Sequence, residues 1–232
     1  MDKTLMPYEY SLSEERLKPY QRLATSPDDV IPLYLWNIAL SSALMPIIAL
    51  LEVTLRNHVD GAISRVAPQW LENEWEGWKP YKQKDYDKHI RRVNTEFEQF
   101  QTLQRKLGTK ARRGQYIAEL TFGFWTGLFK SHYKTLVWVK AGALKQVFPH
   151  MTGKRKDPVS EIAHRLKRIR LLRNRIFHHE PIFHPHYPLK EIYNDMIELL
   201  TWMNPEIVSL LKQIDEFGEV FKKGCQVFHR HD

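Results

Sequence analysis

Apolar residues recur at spacings of three and four along almost every long stretch of the chain, the spacing of one face of an α-helix. No regular succession of short β-branched runs competes with that pattern. It predicts an all-α protein. The first strong helix begins near Ser26-Pro27-Asp28-Asp29, with Ser or Asp as its cap, and leads into an apolar stretch from Leu33 to Val66. Pro46 lies inside that stretch and predicts either a kink or a division into two helices. Residues 67–82 carry Pro68, Trp70, Trp75, Gly77, Trp78 and Pro80, an aromatic, turn-rich insert that its tryptophans should pin to the core.

A charged helix is predicted over Asp85 to Leu107, with Ile90, Val93, Phe97, Phe100 and Leu103–Leu107 as its narrow apolar side. Gly108 to Gly114 is a basic break. Ile117 to Val147 is apolar and helical again, interrupted around Gly123 and Gly127, and Pro149 to Pro158 is a basic loop. Val159–His179 and Pro188–Ile214 are two further helices; the pattern fixes nothing after Gly218. No Gly/Ser-rich linker divides the chain. The expectation is one helical domain over residues 26–214, with a polar arm at 1–25 and a tail at 215–232.

Composition narrows the class. At 232 residues and 43% hydrophobic, the chain can bury a sizeable core. The formal charge of +8 favours polyanionic partners, nucleic acid or an anionic surface, without choosing among them. The single cysteine, Cys225, rules out an internal disulfide framework and points to a reducing compartment. The first nine residues lack an apolar signal core, and the greasiest run, Ala43–Leu51, falls short of the roughly 20 residues that span a bilayer. A soluble cytoplasmic protein with no membrane partner is expected.

The densest chemistry lies in Arg173-Asn174-Arg175-Ile176-Phe177-His178-His179-Glu180-Pro181. Arginine matches a phosphate with a planar fork, and histidine moves protons near neutral pH. On a wheel of about 100° per residue, Ile162, Leu166, Ile169, Leu172, Ile176 and Phe177 form one apolar arc. His164, Lys167, Arg168, Asn174, Arg175 and His178 lie mostly opposite. Arg173 sits inside the apolar arc, where a charge must snorkel, be paired or serve a site. Arg173 and His178 are about 140° apart, so a single helix does not readily aim both at one atom. A second protomer or a second helix would complete such a site. Asn174 and His178, four apart, share a face. The bland reading of the same residues is that they complement the negative end of a helix that Pro181 then stops.

Other candidates are weaker. Glu52, Arg56 and Asn57 form either an ordinary i,i+4 pair worth about 0.3–0.5 kcal/mol or the lining of the same cleft, with Glu52 or Arg56 pairing with Arg173. The basic clusters at 110–113, including Arg112 and Arg113, and at 154–156 are phosphate candidates or solvated loop charge. Phe122, Phe124, Trp125 and Phe129 are core before they are a base-stacking platform. His178, His179, His184 and His186 have irregular spacing across Pro181 and Pro185, which argues against a metal site.

Leu171 to Pro181 resembles the signature of the Abi-like proteins of bacterial abortive infection, a branch of the HEPN superfamily with an Arg-x4–6-His motif. Arg173, Asn174 and His178 fit the four-residue spacing and His179 the five-residue one. Leu51–Asn57 resembles that family's Glu-x3-Arg-Asn helix, and Leu120–Trp125 its Phe-Gly-aromatic-Trp segment. The resemblance implies a HEPN-like helical bundle with additional helices. It also implies metal-independent, cofactor-free endoribonuclease activity in a homodimer whose two motifs share one cleft. On that reading Arg173 holds the scissile phosphate, His178 or His179 moves protons, and Asn174 orients them. Glu52, Arg56 and Asn57 support from a second helix, while Lys167, Arg168, Arg175, Arg112 and Arg113 contact RNA. A toxin-like protein of phage defence, held in check by an RNA or protein antitoxin, is the implied biology. The alternatives are a non-catalytic RNA-binding or regulatory module of the same fold, and a helical interaction scaffold.

Overall fold

The computed structural model describes residues 6–72, 75–78, 94–108, 111–139, 142–184 and 187–229, and every helix below is built from these. Two short helices, α1 (Met6–Leu12) and α2 (Glu14–Gln21), precede a 3-10 turn at Pro27–Asp29 and the long helix α3 (Val30–Val66). Asp29 closes the expected cap, accepting from the Ser26 backbone N–H at 2.9 Å and from its hydroxyl at 3.0 Å. Leu40, Leu44, Ile47, Leu51, Leu55, Val59 and Ile63, spaced by three and four, are fully buried along one side of α3. α2, Leu17 and Tyr20 included, packs on that helix.

Pro46 does not divide α3, contrary to one of the two outcomes its position predicted; the helix is continuous through it. Proline removes one N–H, but the carbonyl that loses its partner belongs to exposed Ser42, where water can take the place. Buried Leu44, Ile47 and Ile48 meanwhile tie both halves to one core. The apolar reach is also longer than Ala43–Leu51. Residues Pro27–Val66 are long and apolar enough to cross a membrane by length and composition, with a mean hydropathy of 2.0 in the richest window. In the bundle the buried side of that helix is covered by neighbouring helices.

Beyond α3, Trp70 and Trp78 are buried and stack into an aromatic cluster with Trp75, Phe97, Phe100 and Phe124, as the insert's tryptophans predicted. Of the charged helix expected from Asp85, the observed portion is α4 (Thr95–Leu107), capped by the Asn94 side chain on the Phe97 N–H. Pro80, Asp85, Ile90 and Val93 lie outside the described residues, as do Lys110, Pro185 and His186.

The apolar segment to Val147 breaks further than its two glycines indicated. It becomes α5 (Arg113–Glu119), α6 (Phe122–Gly127), and α7 (Ser131–Tyr133), which widens into a π-helical turn at Lys134–Val139, followed by α8 (Ala143–Val147). Indole groups satisfy the carbonyls freed at these breaks: Trp125 donates to Leu120 O at 3.2 Å and Trp138 to Leu128 O at 2.7 Å. Phe122, Phe124, Trp125 and Phe129 are core, fully or almost fully buried.

α9 (Pro158–Phe177) starts on an Asp157 cap, whose carboxylate accepts from Ser160 N at 3.1 Å and pairs with Lys134. Those hydrogen bonds, the Lys134 one first, lower its pKa to about 2. α9 lies against α10 (Leu189–Met203), to which Arg165 and Arg168 bridge through Asp195 and Glu198. The helix expected to run to Ile214 instead stops at Asn204, which caps α11 (Pro205–Leu211) with Pro205 in its first turn. α12 (Phe217–Lys223) returns to α3, where Val220 O accepts from the Trp36 indole at 3.1 Å.

Candidate functional site

The motif sits where α9 ends. Leu166, Ile169, Leu172 and Ile176 are buried, and Arg173 lies at the margin of that side with its side chain 32% exposed. The helix then closes in a double turn. His179 N donates to Ile176 O at 3.0 Å and Glu180 N to Arg175 O at 2.9 Å, with His179 in the left-handed region at φ 55°. This is the Schellman arrangement, which normally places glycine where His179 stands.

Two residues from elsewhere in the chain hold that turn. Arg16 of α2 donates through one nitrogen, Nη1, to His178 O at 3.0 Å and to His179 O at 2.9 Å. Both are terminal carbonyls that the helix cannot satisfy. Asn37 of α3, only 3% exposed, donates to Glu180 O at 3.2 Å and accepts from Ile182 N at 2.8 Å. Sequence reading assigned neither residue a role. Arg16 lay in what reads as a polar arm, and nothing local marks it. Asn37 did leave a signal: it is an amide on the apolar side of α3, between Leu33 and Leu40, which requires a specific partner.

Arg173 meets the second helix. Its Nη2 stands 3.8 Å from Glu52 Oε2, and its guanidinium lies 4.4 Å from the centre of the Phe177 ring. The Arg173 Nε is buried without a hydrogen-bond partner. Glu52 therefore pairs across helices. Arg56 donates to Ala118 O at 3.4 Å, its own Nε also buried and unpartnered, and Asn57 is exposed. Asn174 on α9, and His178 and His179 just after it, are all exposed. The geometry thus joins Arg173 to Glu52 and leaves the amide and imidazoles open to solvent.

The basic residues divide into engaged and open. Arg168 bridges to Asp195 at 2.7 Å and Glu191 at 3.6 Å. Arg175 donates to Pro181 O at 2.6 Å and 3.1 Å and stands over the Tyr187 ring. Arg113 pairs with Asp60 and lies over Trp70, and Arg155 pairs with Glu161 while stacking on Trp202. Lys167 and Arg112 are exposed and make no ion pair among the described residues. Arg170 also reaches this region: its Nη1 stands 4.0 Å from where a Cβ on Gly123 would be, linking α9 to the Phe-Gly-aromatic-Trp segment. No group of three His, Cys, Asp or Glu that could hold a metal ion occurs among the described residues.

Residues 4–184, well over half the chain, match the family model described as Abi-like protein. No curated protein and no solved structure matches.

Proposed function

Because the chain belongs to the Abi-like protein family, with the abortive-infection role that membership points to, we propose that it is a metal-independent endoribonuclease of the HEPN type. In this reading it works as a homodimer in bacterial defence, toxin-like and restrained by an antitoxin. The observation that carries the reading is the set of neighbours at the end of α9. A partly buried arginine is oriented by a carboxylate and an aromatic ring, and exposed Asn174 and His178 follow it in the chain where the helix enters a turn braced from two other helices.

Attack of a ribose 2′-OH on the adjacent phosphate requires three things: loss of the hydroxyl proton, neutralisation of charge on the phosphorane, and a proton for the departing 5′-oxygen. Arg173 supplies the fork of donors for the phosphate oxygens. His178 exchanges the protons, a contribution on the order of 10²–10⁴ in rate. Asn174, one turn before it, orients the imidazole or the phosphate. Within one chain Arg173 and His178 point in directions about 140° apart. A twofold partner resolves this by placing one subunit's histidine near the other's arginine. The exposed side of α3 supports such pairing: Leu35, Ile38, Met45 and Val53, each 37–49% exposed, form an apolar stripe that runs on to Glu52.

The test is incubation of the purified protein with RNA in EDTA. Fragments ending in 2′,3′-cyclic phosphate, absent from His178→Ala, support the reading. RNA bound in a salt-dependent way but left intact by the wild type would replace it with a non-catalytic RNA-binding module.

A further inference from the structure

Leu120, Phe122, Phe124 and Trp125 are buried, so only Thr121 and Gly123 of the Phe-Gly-aromatic-Trp segment reach the surface. Gly123 is the second residue of α6, a place where alanine would favour the helix more. Among the described residues nothing calls for glycine there. Its φ is not positive, and an added Cβ would meet nothing closer than Thr121 Oγ1 at 3.5 Å and Arg170 Nη1 at 4.0 Å, both ordinary contacts. The missing side chain leaves a gap, floored by α6 backbone, between a hydroxyl and a guanidinium.

That guanidinium is the second observation. Arg170 precedes Arg173 by three residues and Asn174 by four, so it stands on the same side of α9, one turn earlier. It is partly exposed and makes no ion pair or hydrogen bond among the described residues. Arg56 and Arg173 each have a buried Nε without a partner, whereas no nitrogen of Arg170 is buried in that way, so its donors are open to a ligand. Charge points in the same direction. α6 packs on both α3 and α9, and Arg56, Arg170 and Arg173 gather around that junction. Of the three only Arg173 has a carboxylate partner, Glu52, at 3.8 Å. The uncompensated cations suit an anion, and two arginines one turn apart on a helix suit consecutive phosphates of one strand.

We infer that Arg170, reaching over the Gly123 gap, holds the RNA phosphate next to the one at Arg173, with the strand's backbone passing close above the start of α6. This second site rests on the reading of Arg173 as a phosphate ligand. It gives the Phe-Gly-aromatic-Trp segment a task at its surface: the glycine lets the strand approach where a side chain would stand in its path.

Fluorescence anisotropy with a 2′-O-methylated RNA decamer, which lacks the attacking hydroxyl, tests this across a salt series, alongside cleavage of unmodified RNA. Arg170→Gln should weaken binding about tenfold at low salt and reduce the slope of log Kd against log salt by about 0.7, the loss of one phosphate contact on a single strand. Arg170→Lys, which keeps the charge, should recover that slope. Gly123→Ala should leave stability unchanged or higher and still weaken binding severalfold, because its methyl group occupies the gap. A wild-type slope in Arg170→Gln, or wild-type affinity in Gly123→Ala, overturns the inference and leaves the ribonuclease reading standing. The expected losses in a protein that binds RNA without cutting it support the phosphate site and remove only the ribonuclease reading. A wild type that neither binds nor cuts RNA overturns both.

Discussion

Replacing His179 with glycine tests how the motif turn is built and which histidine does the chemistry. His179 occupies the left-handed region at φ 55°, which costs an L-residue on the order of 1–2 kcal/mol, somewhat less for histidine than for a β-branched side chain. Glycine adopts that conformation freely but gives back about 0.5–1 kcal/mol through the extra freedom of its unfolded chain. The imidazole is exposed and the Arg16 bond is to the backbone carbonyl, so neither packing nor the brace is lost. The balance is a gain of about 0.5–1 kcal/mol, or about 1–4 °C in Tm for a domain of this size. Urea unfolding followed by circular dichroism measures the stability, and RNA cleavage by the same preparation measures function. If His178 is the proton-transfer group, His179→Gly cleaves RNA within a fewfold of the wild type. A variant less stable by about 0.5 kcal/mol or more would show that the left-handed turn carries no strain, and the reasoning fails there. Loss of cleavage in both His179→Gly and His179→Asn, with stability kept, would move the catalytic role from His178 to His179.

The other consequences are simpler to state. Arg16→Ala removes both bonds to the turn carbonyls at a partly exposed site, and should cost about 1 kcal/mol in urea unfolding. It should lower kcat for RNA cleavage about tenfold with KM little changed; a fall in stability alone would make Arg16 merely structural. Glu52→Gln leaves stability within about 1 kcal/mol, because the pair with Arg173 is long and partly exposed, but strengthens RNA binding by freeing the guanidinium charge. Weaker binding in a filter assay contradicts that. Asp157 holds its proton less tightly in the folded chain than when unfolded, so its contribution is complete above about pH 4 and lost as pH falls towards 2. Unfolding midpoints across that window should therefore drop less steeply for Asp157→Asn than for the wild type, and parallel profiles would refute the assignment.

The sequence exposed the helices and hid most of what joins them. Three-and-four spacing identified α3, α4, α9 and α10, because each buries one side against a common core. It failed between Arg113 and Val147, where indole groups replace helix bonds across distances that no periodicity reports. Pro46 left two outcomes open, and division is the one that fails: core burial on both sides outweighs one missing backbone bond. At the site, Arg173 was conspicuous as a charge in an apolar arc, and its partner was narrowed to Glu52 or Arg56 without deciding between them. Arg16 was invisible, since its task is set by two carbonyls more than 160 residues away.

The bland and the chemical readings of the motif turn out to divide it residue by residue. Arg175 does what any cation at a helix end does: it binds a carbonyl of the closing turn and the carboxylate beside it. His179 supplies the turn's left-handed residue through its backbone, and its imidazole stays exposed. If capping were the whole account, Arg173 would reach for carbonyls too. Instead it lies over the Phe177 ring of its own helix and faces Glu52 on another, with a buried Nε that no protein group satisfies. Asn174 and His178 are exposed, and the turn that begins at His178 is held by two distant residues, Arg16 and Asn37. The Schellman bonds use the carbonyls of Arg175 and Ile176, and the braces take those of His178, His179 and Glu180, so the turn's backbone is held from two further directions. Under the proposed function, that fixed backbone sets the point from which the exposed His178 imidazole reaches out, and transfer of a proton to or from ribose depends on such placement.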